Sequence, residues 1–586
     1  MRHLRFTLAA LAALAACRAT APTRPLSLDG PAIPSRVAAN FPADWPYHAG
    51  AKATFGEHGM VTSNEAKAST AGVEIMRRGG NAVDAAVAVG FALAVTYPEA
   101  GNIGGGGYMV IRMADGRTAA LDYRETAPLA ASRNMYLDAA GKLTNKSLVG
   151  HLASGVPGAV AGLVAAQKRY GVLSLAEVMA PAIRLAEDGF VVDTAMTNAL
   201  TNNADLIGKF SGGPLFLPGG AALRPGASVR QADLARTLRA IAAHGADGFY
   251  RGPVADSVAA EMRRGGGIIT VADLARYAPV WRDAIHSTYR GYTLFTMPPS
   301  SSGGVTITET LNILETVPRL PQFGSAAYLH LLGSAYQRAF VDRNEALADP
   351  AFAPVPTAKL TSKGYAASVA ATIGNGRATP TAVIESKLRT LREGNQTTHY
   401  SVVDGSGNAV ATTTTINGLF GSGVWVRGAG FFLNNEMDDF AAQPGMPNQF
   451  GLVQGEANAV QPGKRPLSAM SPTIVLDPAG ELLLVVGARG GPRIITATSQ
   501  IILNVIDHRM TLADAMSAPR VHHQALPDSL RYERRGLSQS TLDSLTAMGY
   551  GMEPVGSVAQ AHGVMRVRGG WDGFPDPRAE GGAVGY

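Results

Sequence analysis

The stretch Thr397-Thr398-His399-Tyr400-Ser401-Val402-Val403-Asp404-Gly405-Ser406-Gly407-Asn408-Ala409-Val410-Ala411-Thr412-Thr413-Thr414-Thr415 decides the fold. Its β-branched and aromatic residues favour a pleated, half-buried backbone over a helix. Asp404-Gly405-Ser406-Gly407 supplies the residues of a tight turn, so Thr397–Val403 and Asn408–Thr415 read as two strands of one hairpin. Further strands are expected at Gly430–Leu433, Ser471–Leu476 and Leu482–Val486, and a helix over Ile494–Ile506.

Upstream of the hairpin the pattern is different. Ala66–Val95 is rich in small apolar residues with helical character, broken at Gly79-Gly80, after which Asn81 can cap a second helix. The run Gly104-Gly105-Gly106-Gly107 leads into Tyr108–Ile111, which reads as a strand. It lacks the lysine and hydroxyl residue of a phosphate loop and does not open a helix, so close backbone packing explains it better than nucleotide binding. From about Val160 to Arg343 helical stretches alternate with Gly and Pro breaks, without repeats. Gly374–Gln396 is a polar, helix-poor approach with the composition of an exposed segment. Strands grouped after residue 397, with helices before and after, predict a sheet layer covered by helices.

The chain has 586 residues, 46% hydrophobic and 16% charged, against roughly 25% charged in ordinary soluble domains, which indicates a large buried core. The formal charge of +6 is small for this length, and Lys and Arg are not clustered, so no nucleic-acid partner is expected. Arg2 and Arg5 precede an apolar stretch, Phe6–Ala16, too short to span a bilayer and typical of an export signal. Leu14-Ala15-Ala16-Cys17 resembles a bacterial lipobox, and Cys17 is the only cysteine, so it is the expected lipidation point and no internal disulfide can form. Residues 18–50 carry Pro22, Pro25, Pro31, Pro34, Pro42 and Pro46, the composition of an extended tether. The chain is therefore expected to be periplasmic and held to a membrane by a lipid anchor. Ala82–Val95 contains Asp84 and is too short to span, which makes it a buried core helix.

Asn395-Gln396-Thr397-Thr398-His399-Tyr400-Ser401 resembles the cleavage and nucleophile segment of the gamma-glutamyltransferase (gamma-glutamyltranspeptidase) family. The resemblance extends to Thr62–Ala66, Asp122-Tyr123-Arg124-Glu125, Leu433-Asn434-Asn435-Glu436-Met437-Asp438-Asp439-Phe440, Gly463–Ser468, Gly490-Gly491 and Ala518–His523, in the family order. It implies an α/β fold of the N-terminal-nucleophile hydrolase type, a four-layer αββα sandwich. It further implies a precursor cut between Gln396 and Thr397 into a large subunit, 51–396, and a small catalytic subunit, 397–586. The implied reaction is hydrolysis of γ-glutamyl amides such as glutathione, or transfer of the glutamyl group to an amino-acid or peptide acceptor, with no cofactor.

The chemistry is consistent with that implication. A threonine hydroxyl is a weak nucleophile until a base takes its proton. Cleavage before Thr397 would give that residue its own α-amino group, with a reference pKa of about 7.7–8.0, and hence a base beside the hydroxyl. By resemblance, Thr415 orients the nucleophile and Gly490 and Gly491 donate to the oxyanion. Arg124 and Ser468 hold the substrate carboxylate, and Asn417, Glu436 and Asp439 receive its ammonium. Three positions depart from the family. Ala469 stands where a second serine is usual, Phe450 where bacterial members often carry a lid tyrosine, and Arg489 precedes the glycine pair in place of proline. Arg489 could replace the lost carboxylate contact or act on the leaving-group side; the sequence leaves both open. Two rival functions are an acylase of the same fold acting on glutaryl-like amides, and an inactive lipid-anchored binding protein. His522-His523 are adjacent, so on a strand their rings would point apart, which suits structural roles better than a shared metal.

Overall fold

The computed structural model describes residues 41–47, 51–210, 213–384 and 397–586. The export segment with Cys17, most of the tether, the approach beyond residue 384 and Gln396 lie outside the described residues. Among the described residues no helix is long and apolar enough to cross a membrane.

The strands that build the core are β1 (Thr54–Gly56), β2 (Gly59–Ser63), β3 (Gly106–Arg112), β4 (Thr118–Asp122), β5 (Val280–Arg282), β6 (Ile285–Tyr289) and β7 (Tyr292–Thr296). They continue with β8 (Thr398–Asp404), β9 (Ala409–Thr415), β10 (Thr473–Leu476), β11 (Leu482–Arg489), β12 (Gln560–Val567), β13 (Gly570–Pro575) and β14 (Gly582–Gly585). One 7-stranded sheet runs β1-β13-β12-β11-β10-β7-β6 and the other β14-β2-β8-β9-β3-β4-β5. The hairpin expected around Gly405 is the β8–β9 pair, with Tyr400 opposite Thr412, at the centre of the second sheet. Both sheets mix strands from before and after Thr397: β8 pairs with β2, β9 with β3, and β10 with β7.

Helices cover both outer faces. Helix α1 (Ala66–Arg77) and α2 (Ala82–Thr96) lie on the second sheet, with Asn81 and Asp84 forming the capping box that starts α2. Every residue of α2 is buried, so it is a core helix as its composition predicts. On the first sheet lie α3 (Gly303–Glu315) and α5 (Arg493–Ile506), with α4 (Ala326–Ala346) packed on α3. The result is the αββα sandwich. Strand alternation decides what each layer holds: Tyr400 and Val402 of β8 join the core under α1 and α2, whereas Val403 joins the core against the first sheet. His399 also faces that sheet, where a Cβ at Gly487 would sit 2.3 Å from its ring. Burial holds His399 well below the usual histidine range, so it is neutral, bonded to Thr413 Oγ1 (2.8 Å) and Ser401 Oγ (3.1 Å).

One expected strand is absent. Gly430–Leu433 forms a turn, closed by Gly430 N donating to Val426 O at 2.9 Å, with a single bridge between Trp425 and Phe432. The glycine run at 104–107 has the packing role read from the sequence: a Cβ on Gly104 would lie 1.9 Å from Phe432 O. His522 is fully enclosed, bonded to Thr496 Oγ1 (2.9 Å) and Gln524 Oε1 (2.8 Å).

Candidate active site

Thr397 immediately precedes β8 and continues its alternation, which directs its side chain, like that of His399, toward the first sheet. There it lines a nearly closed cavity of about 20 Å³ shared with Thr415, Asn417, Arg124, Glu436, Asp439, Ser468, Ala469, Phe450 and Gly491. Eight of the positions singled out in the sequence thus meet at one place, although they are spread from residue 124 to residue 491. Gly490 does not line the cavity but is the neighbour of a residue that does.

The acidic pair is built by local geometry. Glu436–Asp439 is a single 3₁₀ turn, and in such a turn residues three apart eclipse one another. Both carboxylates therefore face the same way and both accept from Arg124, Glu436 at Nη1 and Asp439 at Nη2. Asn434 fixes the turn: its Oδ1 accepts from Gly155 N (2.9 Å) and Glu436 N (3.0 Å), and its Nδ2 donates to Gly104 O (2.8 Å) and Gly155 O (2.9 Å). Every hydrogen-bonding site of that amide is used. Arg124 follows β4, and its backbone is tied to Asp122 Oδ1 (3.1 Å) and to the Tyr277 hydroxyl (2.8 Å).

This cluster is fully buried, so its charges depend on one another. Burial alone would lower the Arg124 pKa, but Glu436 and Asp439 override it and hold the guanidinium above its ordinary range. Burial pushes Glu436 and Asp439 upward despite the opposing pull of Arg124. Burial also lifts Glu125, 3.6 Å from Arg124, to about 7.

The remaining expected residues sit on loops between the strands. Thr415 ends β9, and its Oγ1 accepts from Asn417 N at 2.8 Å. Asn417 has φ 71°, and its Nδ2 donates to Asn435 O at 3.0 Å. Ser468 Oγ accepts from Met470 N at 3.2 Å, and its carbonyl accepts from Ser302 N (2.7 Å) and Ser302 Oγ (2.6 Å). Gly490 (φ 134°) and Gly491 (φ 58°) occupy backbone conformations that favour glycine, between the end of β11 and the start of α5. N–H groups at such a place face the cavity with the positive end of a helix dipole behind them.

Two arginines need separate comment. Arg489, left open by the sequence, does not line this cavity; its Nη1 donates to the Tyr97 hydroxyl and its Nε to Gln560 Oε1. Arg343, which sequence reasoning missed, does line it. It projects from α4, 1% exposed, with Nε on Ser302 Oγ (2.9 Å) and Nη1 on Asn344 Oδ1 (2.9 Å), while Nη2 has no hydrogen-bond partner among the described residues. Burial lowers its pKa to about 10. Its only sequence signal is a cation within a helix that is otherwise almost wholly buried. Phe450 packs over Gly491, whose added Cβ would lie 2.8 Å from the ring.

The family model for gamma-glutamyltranspeptidase matches residues 68–586. The glutathione hydrolase proenzyme of Escherichia coli (strain K12) is 49% identical over 497 residues, covering 84% of this chain and 85% of that protein. The acylase ACY 1 proenzyme of Pseudomonas sp. (strain SE83) is 43% identical over 482 residues, covering 80% of this chain and 83% of that protein. Among solved structures, cephalosporin acylase from Bacillus halodurans superposes with a TM-score of 0.81 at 27% identity, over 93% of this chain and 99% of that one.

Proposed function

The chain belongs to the gamma-glutamyltranspeptidase family, and from that premise we propose that it is a self-processing enzyme that hydrolyses γ-glutamyl amides such as glutathione and transfers the glutamyl group to amines. The observation that carries this reading is the buried Arg124–Glu436–Asp439 cluster in the same cavity as Thr397. It presents one planar cation and two anions, the complement of an α-amino-acid head with its carboxylate and ammonium. In the empty site these groups satisfy one another. A γ-glutamyl substrate exchanges that internal pairing for its own two charges, so neither the arginine nor the acids are left buried and unpaired.

In this mechanism the hydroxyl of Thr397 first attacks the carbonyl of Gln396, and hydrolysis of the resulting ester separates residues 51–396 from 397–586. The released α-amino group then serves as the base for turnover. Thr397 Oγ attacks the γ-carbonyl, with Thr415 orienting the hydroxyl and the Gly490 and Gly491 N–H groups stabilising the oxyanion. The amine leaves with a proton from the base, and water or an acceptor amine opens the glutamyl ester. Arg124 and Ser468 bind the α-carboxylate; Asn417, Glu436 and Asp439 bind the ammonium. The acylase alternative is favoured by Ala469 and by the 43% identical acylase ACY 1 proenzyme. A glutaryl group lacks the ammonium and would leave Glu436 and Asp439 without a partner. We further propose that Cys17 anchors the exported protein to a membrane, on the strength of its position after the apolar export segment.

The deciding experiment pairs sequencing with kinetics. Purified enzyme should give two pieces, the smaller beginning at Thr397, while Thr397→Ala stays a single inactive chain. Turnover of a γ-glutamyl anilide should greatly exceed that of a glutaryl anilide. An unbroken active chain, or preference for the glutaryl compound, contradicts the proposal. Cys17→Ala should move the protein from the membrane fraction to the soluble fraction; a wild type already soluble and unacylated refutes the anchor.

A further inference from the structure

A second cavity, of about 340 Å³, lies beside the first. That volume falls in the range of roughly 300–1,000 Å³ usual for small-molecule sites. Three of its walls lead directly to the residues around Thr397. Asn64 lines it and accepts from Thr398 Oγ1 at 2.7 Å. Arg489 lines it and is followed by the Gly490-Gly491 pair. Leu419 lines it two residues after Asn417 of the first cavity.

The groups it presents are not those of a packed interior. Glu99 is 4% exposed, lines the cavity, and its Oε2 has no hydrogen-bond partner among the described residues. A buried polar atom left in that state costs free energy unless something is bound there. Arg489 commits Nε to Gln560 and Nη1 to Tyr97, which aims the guanidinium and leaves Nη2 to serve a ligand. One anion and one cation thus face a space of ligand size next to the reacting threonine.

Resting on the proposed reaction, we propose that this second cavity binds the amine partner, both the leaving amine and the acceptor, and selects small zwitterions such as amino acids and dipeptides. Arg489 holds the acceptor's carboxylate, and Glu99 receives its ammonium. Leaving and accepting amines share the site because the second half of transfer is the first half reversed. In transfer the ammonium gives one proton to the Glu99 carboxylate. The resulting amine attacks the ester carbonyl carbon, a C–N bond forms, the bond to Thr397 Oγ breaks, and Oγ takes the second proton shed by nitrogen. Burial lifts Glu99 to about 7, so neither protonation state is far from reach near neutrality.

The test uses the processed full-length enzyme with a γ-glutamyl anilide donor and two acceptors, glycylglycine and its C-terminal amide. Arg489→Gln should raise the half-saturating concentration of glycylglycine by about tenfold or more and leave that of the amide within about threefold. Arg489→Lys should restore part of the preference for the acid. Glu99→Gln should depress transfer to both acceptors at least about tenfold more than it depresses hydrolysis of the donor. If Arg489→Gln affects acid and amide alike, or Glu99→Gln slows transfer and hydrolysis equally, the cavity is not the amine subsite. A wild type that does not release the anilide even to water instead refutes the reaction itself.

Discussion

Gly105 lies so close to Thr415 that a Cβ at position 105 would sit 1.9 Å from the Thr415 carbonyl oxygen. Thr415 ends β9 and lines the cavity of Thr397, so the glycine run controls how near the first strand of the site can approach its neighbour. The obstacle is backbone, which cannot rotate away. Gly105→Ala should therefore displace Thr415, destabilise the fold by about 1–3 kcal/mol and lower kcat/KM by roughly 100-fold. Thermal unfolding and kinetics on a γ-glutamyl anilide measure both; a variant with normal values would mean the strand end is compliant.

Arg343 should matter nearly as much as Arg124 for carboxylate recognition, because its unpaired Nη2 lines the same cavity. Arg343→Gln should lower kcat/KM for a γ-glutamyl anilide by roughly 10–100-fold. The loss should be far smaller on a 4-aminobutyryl anilide, which lacks the carboxylate. Equal losses would assign Arg343 to bracing Ser302 alone.

Ala469 lines the cavity beside Ser468, where a hydroxyl is usual in the family. Ala469→Ser should improve kcat/KM for the γ-glutamyl substrate by no more than the ~1.5–3 kcal/mol of a hydrogen bond to a charged group. No comparable gain should appear on the 4-aminobutyryl compound. Parallel gains on both would show that position 469 does not touch the carboxylate. Arg489→Ala should leave this selectivity in place, since Arg489 faces the other cavity.

Asp576 carries a pH-dependent share of stability. It is 1% exposed and accepts from Arg520 Nη1 (2.7 Å), Ala561 N (2.9 Å) and Arg578 Nη1 (3.0 Å). Burial would raise its pKa, but Arg520 and Arg578 outweigh it and hold the carboxyl near about 2. An unfolded aspartate titrates at about 3.9, so the folded state binds the proton more weakly and the contribution, roughly 2–3 kcal/mol, is complete above about pH 4. It is lost as pH falls toward 2. Asp576→Asn should lower Tm clearly near neutrality, with the gap to wild type narrowing below about pH 4. A gap independent of pH would show that the carboxylate's charge is not what stabilises this corner.

The parts of the fold legible in the sequence were those written in local patterns. The β8–β9 hairpin has its turn residues between two β-branched runs, and α1 and α2 are separated by a glycine stop and an asparagine cap. Gly430–Leu433 has strand composition, yet the chain turns there because Gly430 packs against the backbone of Leu234, a contact no local pattern announces. Arg489 could not be assigned from sequence because its target depends on which face of β11 meets Tyr97. Arg343 was invisible for a similar reason: its role depends on Ser302 and Ser468, brought to it from two other segments.

The interleaving of strands in both sheets has a consequence for the life of the molecule. Once the bond before Thr397 is cut, β8 remains bonded to β2 and β10 to β7, so the two pieces cannot part without opening both sheets. Separation and unfolding become the same event. The reverse event is then a meeting of two chains, not the collapse of one, and it slows with dilution. Outside the cell no fresh precursor is made to replace a lost pair. The mature protein therefore has one folding history, and its working lifetime is set by how slowly it opens, a barrier height, and not by an equilibrium it can revisit.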